Sequence, residues 1–114
     1  MQYLLLIYAD EKRWATMDEA TQGTEMGKCM AFSKEFAEHI KGSNSLQPTT
    51  TATTVRVRNG KRLTIDGPFA ETKEQLAGYY LVEAGNLDEA IAMAEKNPIA
   101  PHGSIEVRPI RTFS

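Results

Sequence analysis

The stretch DGPFAETKEQLAGYYLVEA, residues 66–84, combines a tight turn with a strand. Asp-Gly-Pro is typical of a turn, because Asp can bond to its own turn and Pro presets φ. The LAGYYLVEA that follows has apolar residues on both faces of a strand. The stretch therefore predicts a turn that leads into a strand whose two faces both need covering.

The segment before it, TVRVRNGKRLTI (residues 54–65), predicts a β-hairpin with Asn59-Gly60 at its tip. A two-residue loop would place Val57 opposite Arg62, an apolar residue against a polar one. A three-residue loop with Gly60 in a bulge would place Val55 opposite Leu63. Because all the apolar residues of the hairpin have odd numbers, we predict the three-residue loop, with positive φ at Gly60.

Two helices and two further strands surround these elements. Asp18 or Thr21 is expected to cap a helix that runs to about Lys41 and stops at Gly42. Asn86 is expected to cap the second helix, with Glu89 completing a capping box. The apolar stripe of the first helix contains Met26, Cys29, Met30, Phe36, Ala37 and Ile40, and the added strands are YLLLIYA near the start and SIEVRPI near the end.

This order of elements predicts an α+β plait in one domain, residues 1–114, with both helices on one face of the sheet. GSNSLQPTTTATT, from Gly42, is expected to be a surface connection. With only two helices, the second sheet face would lie bare. We therefore expect a homodimer that covers this face with a second copy.

Composition limits the classes of partner and compartment. The formal net charge is −2, so nucleic acid is not expected despite the local cations Arg56, Arg58, Lys61 and Arg62. The single cysteine, Cys29, cannot form an internal disulfide, which is typical of a reducing compartment. The first apolar run is too short to span a bilayer. We expect a cytoplasmic protein with no membrane partner.

DGPFAETKEQLAGYYLVEA, together with YLLLIYAD at the start and IEVRPI at the end, resembles the DGPF branch of the YCII-related family. The resemblance covers nearly the whole chain. It implies a ferredoxin-like dimeric α/β barrel with a cleft between the sheet and its loops. It also implies kinship with muconolactone-isomerase-type enzymes and a dehydrochlorinase of a chlorinated hydroxyquinol, and, for some relatives, a link to sigma-like transcription factors.

The main branch of that family carries a His–Asp pair proposed to act as acid and base, and this sequence departs from it. Neither His39 nor His102 fits the early-helix histidine position, and Asn97-Pro98 stands where that branch has Asp-Pro. An amide does not take a proton at neutral pH. The two separated histidines predict no metal site. No phosphate loop or dinucleotide fingerprint is present, so no cofactor is expected.

The candidate catalytic residues are Asp66, Glu71 and Lys73. Asp66 either only holds the turn or also directs the neighbouring side chains into a cleft. Glu71 and Lys73 either form a solvated charge cluster, which contributes little stability, or act on a ligand. In the second case the carboxylate is a general base toward a C–H acid and the ammonium steadies an enolate-like oxygen.

The candidate ligand-binding residues are Phe69, Tyr8, Tyr79 and Arg108. The tyrosines either pack in the core or an interface, or line a pocket for an aromatic or lactone ligand. Arg108 is either an exposed strand residue, or pairs with Asp66 or Glu71, or binds a ligand carboxylate.

Two functions fit these residues. One is a cofactor-free enzyme of isomerase or lyase type that transfers a proton on a cyclic or aromatic metabolite. The other is a non-catalytic dimer that binds a small ligand or a regulatory partner linked to transcription. A carboxylate with a perturbed pKa in a dry cleft would favour the enzyme.

Overall fold

The computed structural model describes residues 1–113. It contains six strands, three α-helices and one short 3₁₀ turn at Thr49–Thr51. In chain order the elements are β1 (Gln2–Ala9), α1 (Glu11–Thr16), α2 (Glu19–Glu35), β2 (Ile40–Ser45), β3 (Thr53–Arg58), β4 (Lys61–Asp66), β5 (Gln75–Glu83), α3 (Leu87–Glu95) and β6 (Ser104–Pro109).

Four of the strands form an antiparallel sheet in the order β2-β5-β1-β6. The long helix α2 connects β1 to β2, and α3 connects β5 to β6. Without β3 and β4, the chain has the βαββαβ order and the strand arrangement of a ferredoxin-like plait. The predicted α+β, ferredoxin-like fold is therefore confirmed, and β3–β4 is a hairpin inserted between its second and third strands.

The core lies between the sheet and the helices. Alternate residues of the two central strands enter it, because successive side chains of a strand point to opposite faces. Tyr3 and Val82 are directly paired there, and Leu5 is fully buried. The buried apolar cluster consists of Tyr3, Leu5, Ile7, Val82, Ala84, Ala90, Met93 and Ala94.

The first helix differs from the prediction at its end and on its buried face. Asp18 caps α2 by accepting from the Thr21 amide, but the helix ends at Glu35 and β2 begins at Ile40. Residues beyond Ile40 pair with β5, so an open sheet edge satisfies their backbone groups. Met26 and Met30 are exposed, whereas Phe32 and Glu25 are buried.

The second helix begins as predicted. The Asn86 side chain accepts from the Glu89 amide at 2.9 Å, and the Glu89 carboxylate reaches back to the Gly85 amide at 3.0 Å. The reciprocal bond thus goes one residue earlier than in a standard capping box. Asn86 as the cap is confirmed.

The hairpin register is the opposite of the prediction. Val57 pairs with Arg62 across a two-residue turn, in which Asn59 and Gly60 have φ of 53° and 72°. The positive φ at Gly60 is confirmed, and the three-residue loop is wrong. The odd-numbered apolar residues would select a register only if one hairpin face were buried in the same chain. Because β3 and β4 pair only with each other, the Asn-Gly turn sets the register instead.

Gly103 permits β6 to lie close to β1. A Cβ at this position would lie 2.2 Å from the Tyr8 carbonyl oxygen and 3.0 Å from Ile99 Cγ2. We expect Gly103→Ala to lower the free energy of unfolding by about 1–3 kcal/mol, the usual cost of overpacking. Gly27→Ala is the matched control, since nothing lies within 4 Å of its Cβ position.

In urea unfolding, the control should raise stability by up to about 1 kcal/mol, because Ala is the better helix former. Equal effects of the two substitutions would contradict the close packing at Gly103.

Candidate functional site

The sheet face opposite the helices is apolar and uncovered within the chain. Leu4 pairs with Leu81 and Leu6 with Tyr79 across β1 and β5, and all four are only half-buried. We call this surface, formed by Leu4, Leu6, Tyr8, Tyr79 and Leu81, the open face. The molecule measures 48 × 47 × 19 Å, and its radius of gyration of 16.1 Å exceeds the about 13 Å usual for a compact domain of this size. The described chain thus has a helix layer and a sheet layer, and no third layer covers the open face.

The hydroxyl of Tyr79 is fixed at the edge of the open face. Asn44 lies opposite it on β2 and donates its amide Nδ2 to the phenol oxygen at 2.9 Å. The phenol oxygen therefore acts as an acceptor in this bond and keeps its own proton for donation. A ligand on the open face would meet an aromatic ring with an oriented hydroxyl.

Polar groups join the loops at the end of the sheet where Tyr8 lies. Ser104 pairs with Tyr8 across β1 and β6 and donates its hydroxyl to Glu74 at 2.8 Å. The Glu11 carboxylate accepts from the Thr49 amide at 2.7 Å and from the hydroxyl of the same residue at 2.9 Å. These bonds hold the segments before β3 and β5 against the end of β1.

The turn at Asp66 is held by different atoms from those predicted. Gly67 has φ of 103°, and its amide donates to the Ala52 carbonyl at 2.6 Å. The Thr54 hydroxyl donates to the Gly67 carbonyl at 2.9 Å. The hydroxyl of Thr54, rather than the carboxylate of Asp66, therefore closes the turn. The exposed Asp66 side chain is left available at the base of the hairpin.

The remaining predicted residues of this stretch lie in the exposed loop before β5. Phe69 is 76% exposed, and Glu71 and Lys73 are also exposed. Glu74 makes the contact to the sheet instead, through Ser104. Within one chain, the predicted site is thus divided between this loop and the open face.

Arg108 lies on the open-face side of β6, opposite Leu4. It is four residues beyond Ser104, which is about 13 Å at the usual rise of about 3.3 Å per residue. Among residues 1–113 it forms no ion pair with Asp66 or Glu71. The predicted approach of Arg108 to the charged loop therefore does not occur within one chain.

His39 and Asn97 each have a structural contact. His39 Nδ1 lies 3.1 Å from the Glu83 carbonyl oxygen, on the helix side of the sheet. Asn97 is buried, and its Oδ1 accepts from the Ile99 amide at 2.9 Å. Asn97 thus fixes the turn after α3 and lies away from the open face.

Two concavities of the described chain lie on the helix side. A depression of about 140 Å³ is lined by Phe36, His39, Glu89, Ala92, Met93 and Lys96. A shallower one of about 300 Å³ lies beside Phe32 and Pro98. Neither contains a predicted site residue.

Glu25 is a buried carboxylate that the sequence analysis did not select. Its Oε1 lies 3.9 Å from Arg13 Nη2 and 3.8 Å from Lys28 Nζ, and its Oε2 has no hydrogen-bond partner. Burial and then the charge of Glu25 raise the pKa of the Cys29 thiol. The thiol therefore stays protonated and is a poor nucleophile. Cys29 and Phe32 follow Glu25 by four and seven residues, which places all three on one helix face. This spacing was the signal in the sequence that Glu25 faces the core.

Two features of the described residues concern other classes of function. Residues 1–113 contain no group of three or more His, Cys, Asp or Glu side chains placed to hold a metal ion. Within the same residues, no helix combines the length and the apolar character that crossing a bilayer requires.

The sequence model of the YCII-related domain matches residues 1–114. The chain belongs to the YCII-related family. A relative from Rhizobium meliloti (strain 1021), itself an uncharacterized protein, is 38% identical over 117 residues, which cover 99% of this chain and 94% of the relative. The assignment of this YCII-related protein to the DGPF branch stays a prediction.

A solved structure has a similar fold. It is 5-chloro-2-hydroxyhydroquinone dehydrochlorinase from Burkholderia phenoliruptrix, in complex with 2,5-dihydroxybenzoquinone. The TM-score is 0.58 at 13% sequence identity, over 97% of this chain and 94% of the other. At this identity the likeness establishes the fold of the YCII-related protein and leaves its chemistry to its own residues.

Proposed function

We propose that this YCII-related protein is a cytoplasmic homodimer that binds a cyclic or aromatic metabolite at its open face and transfers a proton on it without a cofactor. The observation that carries the proposal is the uncovered apolar open face with the oriented hydroxyl of Tyr79 at its edge. Packing two such faces together would remove apolar surface from water and enclose a space between the sheets.

The residues divide into binding and chemical roles. Tyr8, Tyr79 and Phe69 supply aromatic surface for a planar ligand, and Arg108 supplies a cation for its anionic oxygen. Glu71 is the base, Lys73 the neighbouring cation, and Asp66 lies at the turn that sets the start of their loop. Because all three charged groups are exposed in one chain, the second copy is what would desolvate them.

The proposed reaction is proton transfer next to a carbonyl group. The Glu71 carboxylate takes a proton from carbon, and the electron pair of the C–H bond moves onto the carbonyl oxygen. Lys73 donates to the resulting enolate oxygen. Return of the proton to another carbon gives an isomer, whereas departure of a leaving anion gives an elimination product. The dehydrochlorinase of similar fold, an enzyme of an aromatic metabolite, supports this class of reaction.

A second candidate is a non-catalytic dimer that binds a ligand or a regulatory partner linked to transcription. Two observations favour it. Asn97, which stands where the main branch of the family has its acid, is buried and holds a turn. The Glu71 and Lys73 side chains contact no other part of the described chain through ion pairs or hydrogen bonds.

The test that separates the two candidates uses Glu71→Gln and Lys73→Met. Because both side chains are exposed, each change should leave the free energy of unfolding within about 0.5 kcal/mol. Loss of general-base catalysis should lower turnover by about 10²–10⁴-fold in Glu71→Gln. Thermal melting is measured beside a screen of hydroxyquinones, with 2,5-dihydroxybenzoquinone as the first probe.

The controls are Glu38→Gln and Lys34→Met, exposed residues from the end of α2 and the turn that follows it. If the unmodified protein shows no turnover and the two substitutions weaken ligand binding, the non-catalytic candidate is favoured. Binding and turnover that are the same in all four variants would contradict both roles.

A further inference from the structure

The hairpin at residues 53–66, which we call the arm, pairs with no other strand of residues 1–113. Its strands β3 and β4 form a sheet of their own. The strand pairing places Val55 and Val57 on one arm face and Leu63 and Ile65 on the other. These four side chains are between 46% and 61% exposed. Arg62 lies on the face with the two valines, and the other three cations of the hairpin lie on the face with Leu63 and Ile65. Each arm face therefore exposes apolar side chains to water beside cationic ones.

Such an arm needs a cover. An isolated two-stranded hairpin is at best marginally stable in water, and its β-branched residues favour a strand chiefly when they pack against neighbours. An exposed apolar ribbon also invites pairing with other chains. The arm is thus built to contact another surface.

Charge indicates which surface covers the arm. The arm contains the cations Arg56, Arg58, Lys61 and Arg62 and one acid, Asp66 at its base, so its formal charge is +3. The whole chain has a formal net charge of −2, so the rest of the chain carries −5. The surface complementary to the arm is therefore the body of this same protein, presented by a second copy.

The dimensions of the arm fit this occupant. Each of its strands has six residues, which is about 20 Å at about 3.4 Å per residue. A sheet of four strands spaced about 4.8 Å apart is about 14–19 Å wide. The arm is long enough to cross the open face of a second copy.

We infer that the arm of each protomer lies across the open face of a second copy and forms one wall of its ligand site. This rests on the proposed function, which pairs the open faces but gives the arm no role. The more exposed arm face, with Val55 and Val57, packs against the open face of the second copy. Arg62 lies on that face opposite Val57, and it pairs with Glu106, which lies on the open-face side of β6 opposite Leu6. The two open faces then enclose the ligand, and each arm closes one side of the space between them.

The first test removes the apolar contact of the arm. Val55→Thr combined with Val57→Thr keeps the shape and β propensity of the strand but adds hydroxyls. Since each dimer would lose this contact twice, its dissociation constant should rise by about 100-fold or more. Sedimentation velocity over a concentration series gives the constant. Met26→Thr combined with Met30→Thr, exposed on α2, is the control and should leave it unchanged.

The second test exchanges charges. Arg62→Glu should weaken the dimer by about tenfold, and added salt should partly relieve this loss because it screens the repulsion from Glu106. Glu106→Arg in the same chain should restore the dimer. Arg58→Glu is the matched control, because Arg58 lies on the opposite arm face. Carbodiimide cross-linking of an equal mixture of unlabelled and isotope-labelled Arg62→Lys chains should then join position 62 of one chain to Glu106 of the other.

Each of the following results would overturn the inference. Arm variants that dimerise like the unmodified protein, while an open-face variant is monomeric, overturn the role of the arm and keep the proposed dimer. A protein that is a monomer without any substitution overturns both. Cross-links found only within single chains, or a DNA duplex that binds the arm without any change in dimerisation, also overturn the inference.

Discussion

Leu81→Glu is expected to convert the protein from a dimer into a monomer at micromolar concentration. Leu81 lies on β5 at the centre of the open face and pairs directly with Leu4. In a symmetric interface the substitution places two unpaired carboxylates between apolar sheets. The dissociation constant should rise by about 10³-fold or more, because two buried charges each cost several kcal/mol.

The matched control for this change is Leu87→Glu. Leu87 is exposed in the first turn of α3, where an acidic side chain is favourable. Sedimentation velocity should show a dimer for this control and a monomer for Leu81→Glu, with unchanged far-ultraviolet circular dichroism in both. A Leu81→Glu protein that still sediments as a dimer would place the interface elsewhere on the molecule.

The largest loss of stability is expected for Leu5→Ala. Leu5 is fully buried on β1 and lies between the sheet partners Tyr80 and Val107. Truncation removes apolar contacts and leaves a cavity, which costs about 3–5 kcal/mol in a well-packed core. That is a large fraction of the about 5–15 kcal/mol that usually stabilises a domain.

Urea unfolding at one fixed protein concentration measures this loss, since the proposed dimerisation would make apparent stability depend on concentration. Leu46→Ala is the control, because Leu46 is exposed after β2 and should lose less than about 1 kcal/mol. A loss for Leu5→Ala no larger than that of the control would contradict the assigned core.

The central strands and the second helix could be predicted from the sequence because their signals are local. The run from Leu4 to Tyr8 has apolar residues on both faces, and Asn86 with Glu89 marks a helix start. In each case the pattern and the tertiary surroundings favour the same structure. The ferredoxin-like order of β and α elements follows from them.

The end of α2 and the register of the arm depended on surfaces that the sequence does not display. β2 forms where an open edge of β5 pairs with Ile40–Ser45, although KGSNS has few strand formers. The arm register follows the Asn59-Gly60 turn because β3 and β4 pair with no other strand of residues 1–113. A parity rule holds only where one face is buried.

The candidate site could be predicted only in part for the same reason. Tyr8, Tyr79 and Arg108 do lie on one side of the sheet, as alternation along strands requires. Glu71 and Lys73 lie in an exposed loop, and only a second copy would bring them into a concavity. Glu25 was missed because a charged residue on a helix is expected to face solvent.

A crystal structure of the protein soaked with 2,5-dihydroxybenzoquinone is the most direct test of a ligand site enclosed by two open faces. We expect two copies that face each other through β1 and β5, with the probe in contact with Tyr79 and within reach of Glu71 or Lys73. Copies whose open faces border only solvent would contradict the account, as would a probe bound solely in the helix-side depression beside His39 and Glu89.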